Sequence, residues 1–358
     1  MNVDKTTPRV ARAMIKYLDI AGYEKVVVAT DPDVNLHAII AIHSTTRGPA
    51  AGGLRMRQYA SFDDALRDVL RLSNAMSFKN AAANLPLGGG KSILIGDPLT
   101  DKTDGLFQSF GRIVEQLGGD YWVAEDMGIG PDDIALIARE TKYVAGLPSG
   151  PFAGGDPSPV TAEGVLKGIR TALKYKTGAG AVEGRTISIQ GLGHVGLSLC
   201  QKLVAGGAKV TFSDLDREAL AKAEELTGNR CLAPDAIYEA PADVFAPCAI
   251  GATVNRQTIP VLRASVVAGA ANNQLGTKED ADYLHELGLL YAPDFVINAG
   301  GIINVAAEIL RIREASRWVE NKLDELDATL DHIFLKARDG DHSPLHVAER
   351  LAAQRLLP

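Results

Sequence analysis

Residues 186–196 read TISIQGLGHVG, an apolar run that passes without a spacer into Gly191-Leu192-Gly193-His194-Val195-Gly196. The β-branched run predicts a buried strand, and Val195, Leu199 and Leu203 then recur at helical spacing. A glycine hexamer alone is a weak sign, but this one joins a strand to a helix. The next strand, 209–213 (KVTFS), ends at Asp214, 23 residues after Gly191 and close to the ~20 expected of a dinucleotide-binding turn. Gly191 permits the tight turn, Gly193 lets a pyrophosphate approach bare backbone, and Gly196 allows close helix–strand packing. The helix N-terminus adds unpaired N–H groups and a positive dipole. Asp214 is placed to accept the adenosine ribose hydroxyls and repels a 2′-phosphate, which favours NAD; Arg217 keeps NADP as the alternative. His194 sits at an outward-facing position of the loop and is given no chemical role.

The rest of the second half repeats the pattern. Strands are predicted at 243–246, 266–269 and 289–291 with helical stretches between them, so the sheet is parallel and doubly wound. Upstream, 25–29 (KVVVA), 37–43 (HAIIAIH) and 92–95 (SILI) read as strands of a separate α/β unit. Ser61 and Asp64 form a capping box before Ala65, Leu66, Val69, Leu70, Leu72 and Met76, a helix expected to end near Ser77. Between them, 146–160 (GLPSGPFAGGDPSPV) is too rich in Gly and Pro for a regular element and reads as the crossing between domains. The helix after it is expected over 161–175. One helix is expected from Asn304 to about Arg338, a break at 339–341, and a last helix at 345–357. The predicted domains are 1–146, with 339–358 folding back onto it, and a Rossmann-type dinucleotide-binding domain over 147–338.

Composition narrows the function classes. The chain has 358 residues, 46% hydrophobic and 23% charged, with a formal charge of -7 and no run of five like charges. That balance argues against a nucleic-acid partner or a membrane surface. No stretch approaches the ~20 apolar residues of a membrane span, and MNVDKTTPRVAR lacks the apolar core of a leader. Cys200, Cys231 and Cys248 form no CxxC pair and read as free, buried thiols of a reducing compartment. A cytoplasmic protein with no metal site is expected.

The first half carries the candidate chemistry. Gly52-Gly53 follows GPAA, Lys79 ends the amphipathic helix, Lys91 stands between Gly88-Gly89-Gly90 and SILI, and Asp126 closes the apolar run 121–124. Lys79 there also suits the negative end of a helix dipole. Lys91, at the mouth of a buried strand, is an unusual place for a solvated amine; desolvation lowers a lysine pKa toward general-base range. Asp126 lies at a strand's C-terminal edge, where α/β sheets place ligands, and equally suits a helix cap. Asn272-Asn273 and Asn298-Ala299-Gly300-Gly301 follow strands of the second half and read either as ligand-approaching turns or as Asx-turns.

GPAAGGLRM, MSFKNAAANLPLGGGKS, AEDMGIGPDD, DPSPVTAEGV, GLGHVG, FAPCAIGA, AGAANNQL and YAPDFVINAGGIINV resemble, in order and spacing, the NAD-dependent leucine/phenylalanine/valine dehydrogenases of the amino-acid dehydrogenase superfamily. The resemblance implies reversible oxidative deamination of an L-amino acid in the cleft between the two domains. By motif, it assigns Lys79 to the substrate α-carboxylate, Lys91 to the reacting amino or carbonyl group and its water, and Asp126 to proton transfer at nitrogen. Gly52 and Gly53 are implied to line the substrate, with Asn272 on its carboxylate. Thr161, Asn273, Val195, Cys248 and Ala249 join Gly191, Gly193, His194, Gly196 and Asp214 around NAD. Ala51, Ala124, Ala145, Ile302 and Val305 are implied to form an apolar side-chain pocket without a cation, which disfavours glutamate. Phenylalanine and leucine types are favoured, with tryptophan as the alternative substrate and NAD(H) binding without turnover as the distant alternative. Three positions depart from the family pattern: Leu54, Arg57 and the segment 307–313, which reads about two residues short. A homo-oligomer is the family expectation.

Overall fold

A computed structural model describes residues 13–357; residues 1–12, with the leader reading made on them, and Pro358 lie outside the described residues. The chain divides into two compact units, Met1–Ser77 with Leu87–Ala153, and Phe78–Pro86 with Gly154–Pro358.

The first unit is a mixed sheet of β1 (Met14–Leu18), β2 (Lys25–Asp31), β3 (Leu36–Ser44), β4 (Ala50–Arg57), β5 (Gly88–Ile95) and β6 (Tyr121–Glu125), ordered β1-β2-β3-β5-β4-β6. β1, β2, β3 and β5 pair antiparallel, whereas β4 runs parallel to both β5 and β6. Its helices are α1 (Phe62–Ala82), α2 (Asp104–Gln116) and α3 (Pro131–Ile137). Alternation along the strands sends Ala50, Leu54, Met56, Leu94, Tyr121 and Val123 into one core with Phe107, Phe110, Ile113 and Val114 of α2. Each fully buried large side chain there contributes about 1.5–3 kcal/mol relative to exposure. The other face of the sheet gives Val26, Ile39, Ala41 and Ile93, covered by Ala65 and Val69 of α1.

Two local readings change. The Ser61 hydroxyl does accept from the Asp64 N–H, at 3.1 Å, but α1 continues past Ser77 to Ala82. Nothing in FKNAA breaks a helix, and the stop comes at Asn84, which takes φ 48. Second, GGG before Lys91 is not a loop: it is the first part of β5. A Cβ on Gly89 would lie 2.1 Å from Ser77 Oγ of α1, and one on Gly90 2.7 Å from the Tyr121 ring. Glycine is used there because neighbours press on the strand, so Lys91 lies inside the sheet rather than at its mouth.

The second unit holds α4 (Ser158–Thr177), β7 (Thr186–Gln190), α5 (His194–Ala205), β8 (Lys209–Ser213), α6 (Arg217–Thr227), β9 (Val244–Pro247), β10 (Val266–Val267), α7 (Glu279–Glu286), β11 (Leu290–Tyr291), α8 (Asp294–Ile297), α9 (Gly300–Ile309), α10 (Ala315–Gly340) and α11 (Pro344–Leu356). Its five strands are parallel in the order β11-β10-β9-β7-β8. The chain winds from β7 to β8 on one side and then to β9 and beyond on the other. The switch point of this doubly wound sheet therefore lies between β7 and β9, the place where such sheets bind ligands. Phe245, Val267, Leu284 and Tyr291 form a core on this sheet.

The expected boundaries shift here. Residues 147–153 group with the first unit and 78–86 with the second. The C-terminal helix also belongs to the second unit rather than the first: Leu345 packs with Phe245 and Tyr291. Arg355 donates to the Ala81 and Ala82 carbonyls at 3.0 and 2.8 Å, groups that a helix end leaves without intrahelical partners. α4 starts at Ser158, three residues before the expected Thr161, with Pro in its first turn. The long helix expected from Asn304 is two helices, α9 and α10, separated at 310–314 where Arg311 takes φ 52.

Candidate active site

On β4, β5 and β6 the register brings three motifs together. Ala51 pairs with Gly89 and Leu54 with Ser92, and Gly53 pairs with Ala124. Lys91 thus stands beside Gly53 on the sheet face opposite the main core. A Cβ on Gly53 would lie 3.1 Å from Lys91 Nζ and 2.7 Å from Asp126 Cβ; one on Gly52 would lie 1.8 Å from the Gly90 carbonyl oxygen. Gly53 is what lets a long cation and a carboxylate share this corner, while Gly52 makes way for the Gly90 carbonyl of the adjacent strand. The strand β4 that carries them went unread in the sequence, since glycine is a poor strand former.

Lys91 Nζ lies 3.0 Å from Asp126 Oδ2, with the lysine side chain only 6% exposed. Asp126 follows β6 directly, at the sheet's C-terminal edge as expected. Arg55, unremarked in the sequence, donates Nε to the same Asp126 oxygen at 2.8 Å and Nη1 to Asp68 Oδ2 at 3.2 Å. Tyr59 and Arg71 also donate to Asp68, at 2.8 and 2.9 Å. The result is a row of alternating charge, Lys91, Asp126, Arg55, Asp68, Arg71. The signal available in the sequence was only that Arg55 falls two residues after Gly53, on the same strand face.

Burial pushes the Lys91 ammonium below its ordinary 10.5; Asp126 opposes this without restoring it, and the Arg55 cation lowers it further. For Asp126, burial pushes the carboxyl up, but Lys91 and Arg55 together outweigh it and hold it below 3.8. An amine that is readily neutral therefore sits against a carboxylate that stays ionised. Behind them, on the core face, Ser92 Oγ lies 2.8 Å from Tyr121 Oη, which donates to the Gly52 carbonyl at 3.0 Å.

Of the pocket alanines, Ala51 and Ala145 are fully buried, whereas Ala124 is half-buried. The Val123–Val144 bridge sets Ala145 beside Ala124. Ile302 and Val305 lie on α9 of the second unit, half-buried and buried respectively.

Lys79, in the last turn of α1, groups with the second unit, not with Lys91's unit as expected. Its Nζ donates to Asn272 Oδ1 at 2.9 Å, and Asn298 Nδ2 donates to the same oxygen at 2.9 Å. Asn298 also bonds the Ala270 and Ala271 carbonyls, so both amide turns are tied into one constellation. Asn273 takes the left-handed conformation, φ 52. Asp294 receives the Gln274 and Phe295 N–H groups at 2.9 and 2.7 Å; burial raises its carboxyl, which those bonds and Lys79 partly oppose. Thr161 Oγ1 donates to the Pro157 carbonyl at 3.0 Å. A Cβ on Gly300 would meet the Val160 oxygen at 2.5 Å and one on Gly301 would meet Thr161 Oγ1 at 2.9 Å. Gly300-Gly301 is therefore the start of α9 against α4 rather than an open turn.

The glycine loop lies at the β7/β9 switch point. Gly191 takes φ 96, and a Cβ there would meet Ala249 at 2.7 Å; one on Gly196 would lie 2.0 Å from the Gly191 oxygen and 3.4 Å from Cys248. A Cβ on Gly193 meets nothing within 4 Å. Gly193 caps α5, His194 begins it, and both are exposed, with Val195 half-buried. Asp214 accepts from the Leu192 N–H, and from Leu215 and Asp216 N–H at 2.6 and 2.8 Å. Exposed backbone donors at a helix N-terminus, with a carboxylate beside them, fit a dinucleotide. Of the three thiols expected to be buried only Cys200 is; Cys248 is half-buried and Cys231 exposed, and desolvation pushes Cys248 up to about 12 and Cys200 to about 11. Among the described residues no group of His, Cys, Asp and Glu has metal-holding geometry, and no helix is long and apolar enough to cross a membrane.

Comparison with known proteins gives concordant matches. Residues 24–143 match the model of the Glu/Leu/Phe/Val dehydrogenase dimerisation domain, and residues 214–343 that of glutamate/leucine/phenylalanine/valine dehydrogenase. The chain is 45% identical over 345 residues to leucine dehydrogenase of Bacillus cereus, covering 96% of this chain and 93% of that one. It is 44% identical over 295 residues to phenylalanine dehydrogenase of Lysinibacillus sphaericus, covering 81% and 77%. Among solved structures it is similar to L-tryptophan dehydrogenase from Nostoc punctiforme, with TM-score 0.80, 38% identity and coverage of 94% and 96%.

Proposed function

The chain belongs to the Glu/Leu/Phe/Val amino-acid dehydrogenase family, and from that premise we propose that it carries out the NAD-dependent, reversible oxidative deamination of an apolar L-amino acid of the phenylalanine or leucine type. The amino acid, NAD and water give the 2-oxo acid, ammonium, NADH and a proton. The observation that carries this reading is the buried Lys91–Asp126 contact of 3.0 Å, in which the amine is lowered and the carboxylate kept ionised.

Lys91, when neutral, takes a proton from water as that water attacks the iminium carbon, a general-base role worth about 10²–10⁴-fold. Asp126 takes and returns protons at the substrate nitrogen. Lys79, with Asn272, holds the substrate α-carboxylate, and Gly52 and Gly53 are assigned by the family motif to line the substrate. The dinucleotide is held by Gly191, Gly193, His194, Val195 and Gly196 on the α5 N-terminus, with Asp214 on the ribose and Cys248, Ala249, Asn273 and Thr161 around it. When bound, it supplies the hydride acceptor for the substrate Cα.

The residues that the family motifs assign to the substrate side chain, Ala51, Ala124 and Ala145 in the first unit and Ile302 and Val305 in the second, are all uncharged, which speaks against a second carboxylate on the substrate. One or two methylenes in such a pocket are worth only about 1–3 kcal/mol, so a range of apolar side chains is expected. The 38% identity to a tryptophan dehydrogenase supports tryptophan as the second reading. A homo-oligomer is proposed from the dimerisation-domain match over residues 24–143, and light scattering on the purified chain tests it.

NADH absorbance with NAD and a panel of leucine, valine, methionine, phenylalanine, tryptophan and glutamate tests the function. Turnover of the apolar members without glutamate is expected. Preference for glutamate, or NADH binding without turnover on any member, contradicts the reading.

A further inference from the structure

The row of charge on β4, β5 and α1 contains a cation that the reaction does not use directly. Two cations make their closest contacts with one oxygen of Asp126: Lys91 Nζ at 3.0 Å and Arg55 Nε at 2.8 Å. They differ in one respect that matters for a proton-transfer site. A lysine gives up its charge when it serves as a base, whereas an arginine keeps its charge at every accessible pH. Arg55 is also held in place from its other side: its Nη1 meets Asp68 Oδ2 at 3.2 Å, and Asp68 is fixed by Tyr59 and Arg71. Its side chain is 14% exposed, so the contact is largely shielded from solvent.

Resting on the dehydrogenase reading above, we infer that Arg55 is a positioning residue for the reaction: it anchors Oδ2 of Asp126 and keeps that carboxylate ionised while Lys91 is neutral, leaving Oδ1 to exchange protons with the substrate nitrogen. Without Arg55, each deprotonation of Lys91 would strip Asp126 of its only remaining close cation, and the carboxylate would be free to rotate. The groups facing this cluster are Lys91 from β5, Arg55 from β4, Asp68 and Arg71 from α1, and Tyr59 between β4 and α1, with Tyr121 behind it on the opposite face. Arg55 is the positive charge that lowers the Lys91 ammonium most, so the same guanidinium favours the neutral amine. One residue thus biases both partners toward their working protonation states.

The test is kcat/KM against pH for the full-length enzyme carrying Arg55→Gln or Arg55→Lys, on the best amino acid of the wild type, with NADH binding followed by its fluorescence. Arg55→Gln is expected to lower kcat/KM about 10²-fold through a misplaced carboxylate. It should also move the acid limb to higher pH, because Lys91 loses a repelling neighbour, and leave NADH binding unchanged. Arg55→Lys keeps a cation and should bring the limb back toward the wild-type position while recovering only part of the rate, since one ammonium cannot bridge Asp126 and Asp68 as the guanidinium fork does. Asp68→Asn removes a negative charge that raises Lys91 and leaves the Arg55 cation to act on Lys91 and Asp126, so it should move the limb to lower pH by less; it carries the test if Arg55→Gln does not fold, and a limb that stays or moves up in it overturns the inference. An acid limb that stays at the wild-type pH in Arg55→Gln, or one that Arg55→Lys fails to restore, overturns the inference. Turnover by the wild type that is lost in Lys91→Ala leaves the dehydrogenase reading standing in that case. A wild type that turns over no amino acid overturns both.

Discussion

In the first unit the candidate residues are charged side chains set in a row inside a sheet; in the second, the dinucleotide loop is almost entirely backbone. In the proposed reaction Lys91 and Asp126 work through burial and mutual charge, so each depends on the identity of its neighbours. Gly191, Gly193 and Gly196 work by having no side chain, and their neighbours matter only where they touch, as Ala249 and Cys248 do. The difference teaches that chemistry and cofactor binding in this chain fail by different routes: charge changes in one, added atoms in the other.

After Lys91 itself, the largest break is expected at Asp126. Asp126→Asn removes the proposed proton carrier and leaves Lys91 and Arg55 facing each other, and steady-state assays should show kcat down by about 10³-fold with NADH affinity retained. Gly53→Ala should follow, at about 10²-fold in kcat/KM, because the new methyl falls 2.7 Å from Asp126 Cβ and must displace it. On the cofactor side, Gly191→Ala places an L-residue at φ 96 against the Ala249 backbone, a strain of about 1–3 kcal/mol. That should appear as about a tenfold weaker NADH affinity in a fluorescence titration, with the acid limb of the rate profile unmoved. Smallest is Asp214→Asn, which retains an oxygen acceptor but removes the charge that repels a 2′-phosphate; the NAD-to-NADP preference should narrow several-fold without change in the amino-acid ranking.

The pH dependence sharpens the same contrast. With Lys91 lowered below 10.5 by burial, kcat/KM should rise with pH through that lowered value and level off before an exposed lysine would titrate. Stability has the same sign for this residue: the cost of burying the ammonium is fully present below its folded pKa and is relieved as pH rises toward 10.5. Asp126, held below 3.8, contributes stability above 3.8 that is lost as pH falls through its lowered value. Thermal melts across pH measure both.

The second unit was nearly transparent in the sequence because its signals are local. TISIQ, the glycine hexamer and Asp214 each state their own conformation, and β7, the α5 start and β8 fall where they were expected. The first unit hid more because its site depends on strands brought together from distant parts of the chain. AAGGLRM does not read as a strand, since two glycines weaken the β pattern; only the pressure of Gly90 and Glu125 from adjacent strands, and of Asp126 just after the second, explains them. Arg55 was missed for a related reason. An arginine in a strand is ordinarily read as an exposed cation, and its contact with Asp126 spans 71 residues. Lys79 is singled out by its motif, but its grouping with the second unit is not legible, because the capped amphipathic pattern of α1 gives out at Ser77 while the helix itself continues to Ala82. The break between α9 and α10 carries no Gly or Pro to announce it, and Arg311 supplies the left-handed residue instead.

The most direct test of the separation between chemistry and cofactor binding is Lys91→Ala, measured for NADH formation from its amino-acid substrate and, on the same preparation, for NADH binding by fluorescence. Turnover lost by about 10⁴-fold with binding within a factor of about two of wild type is the predicted result. Turnover unchanged, or binding lost along with it, contradicts the account.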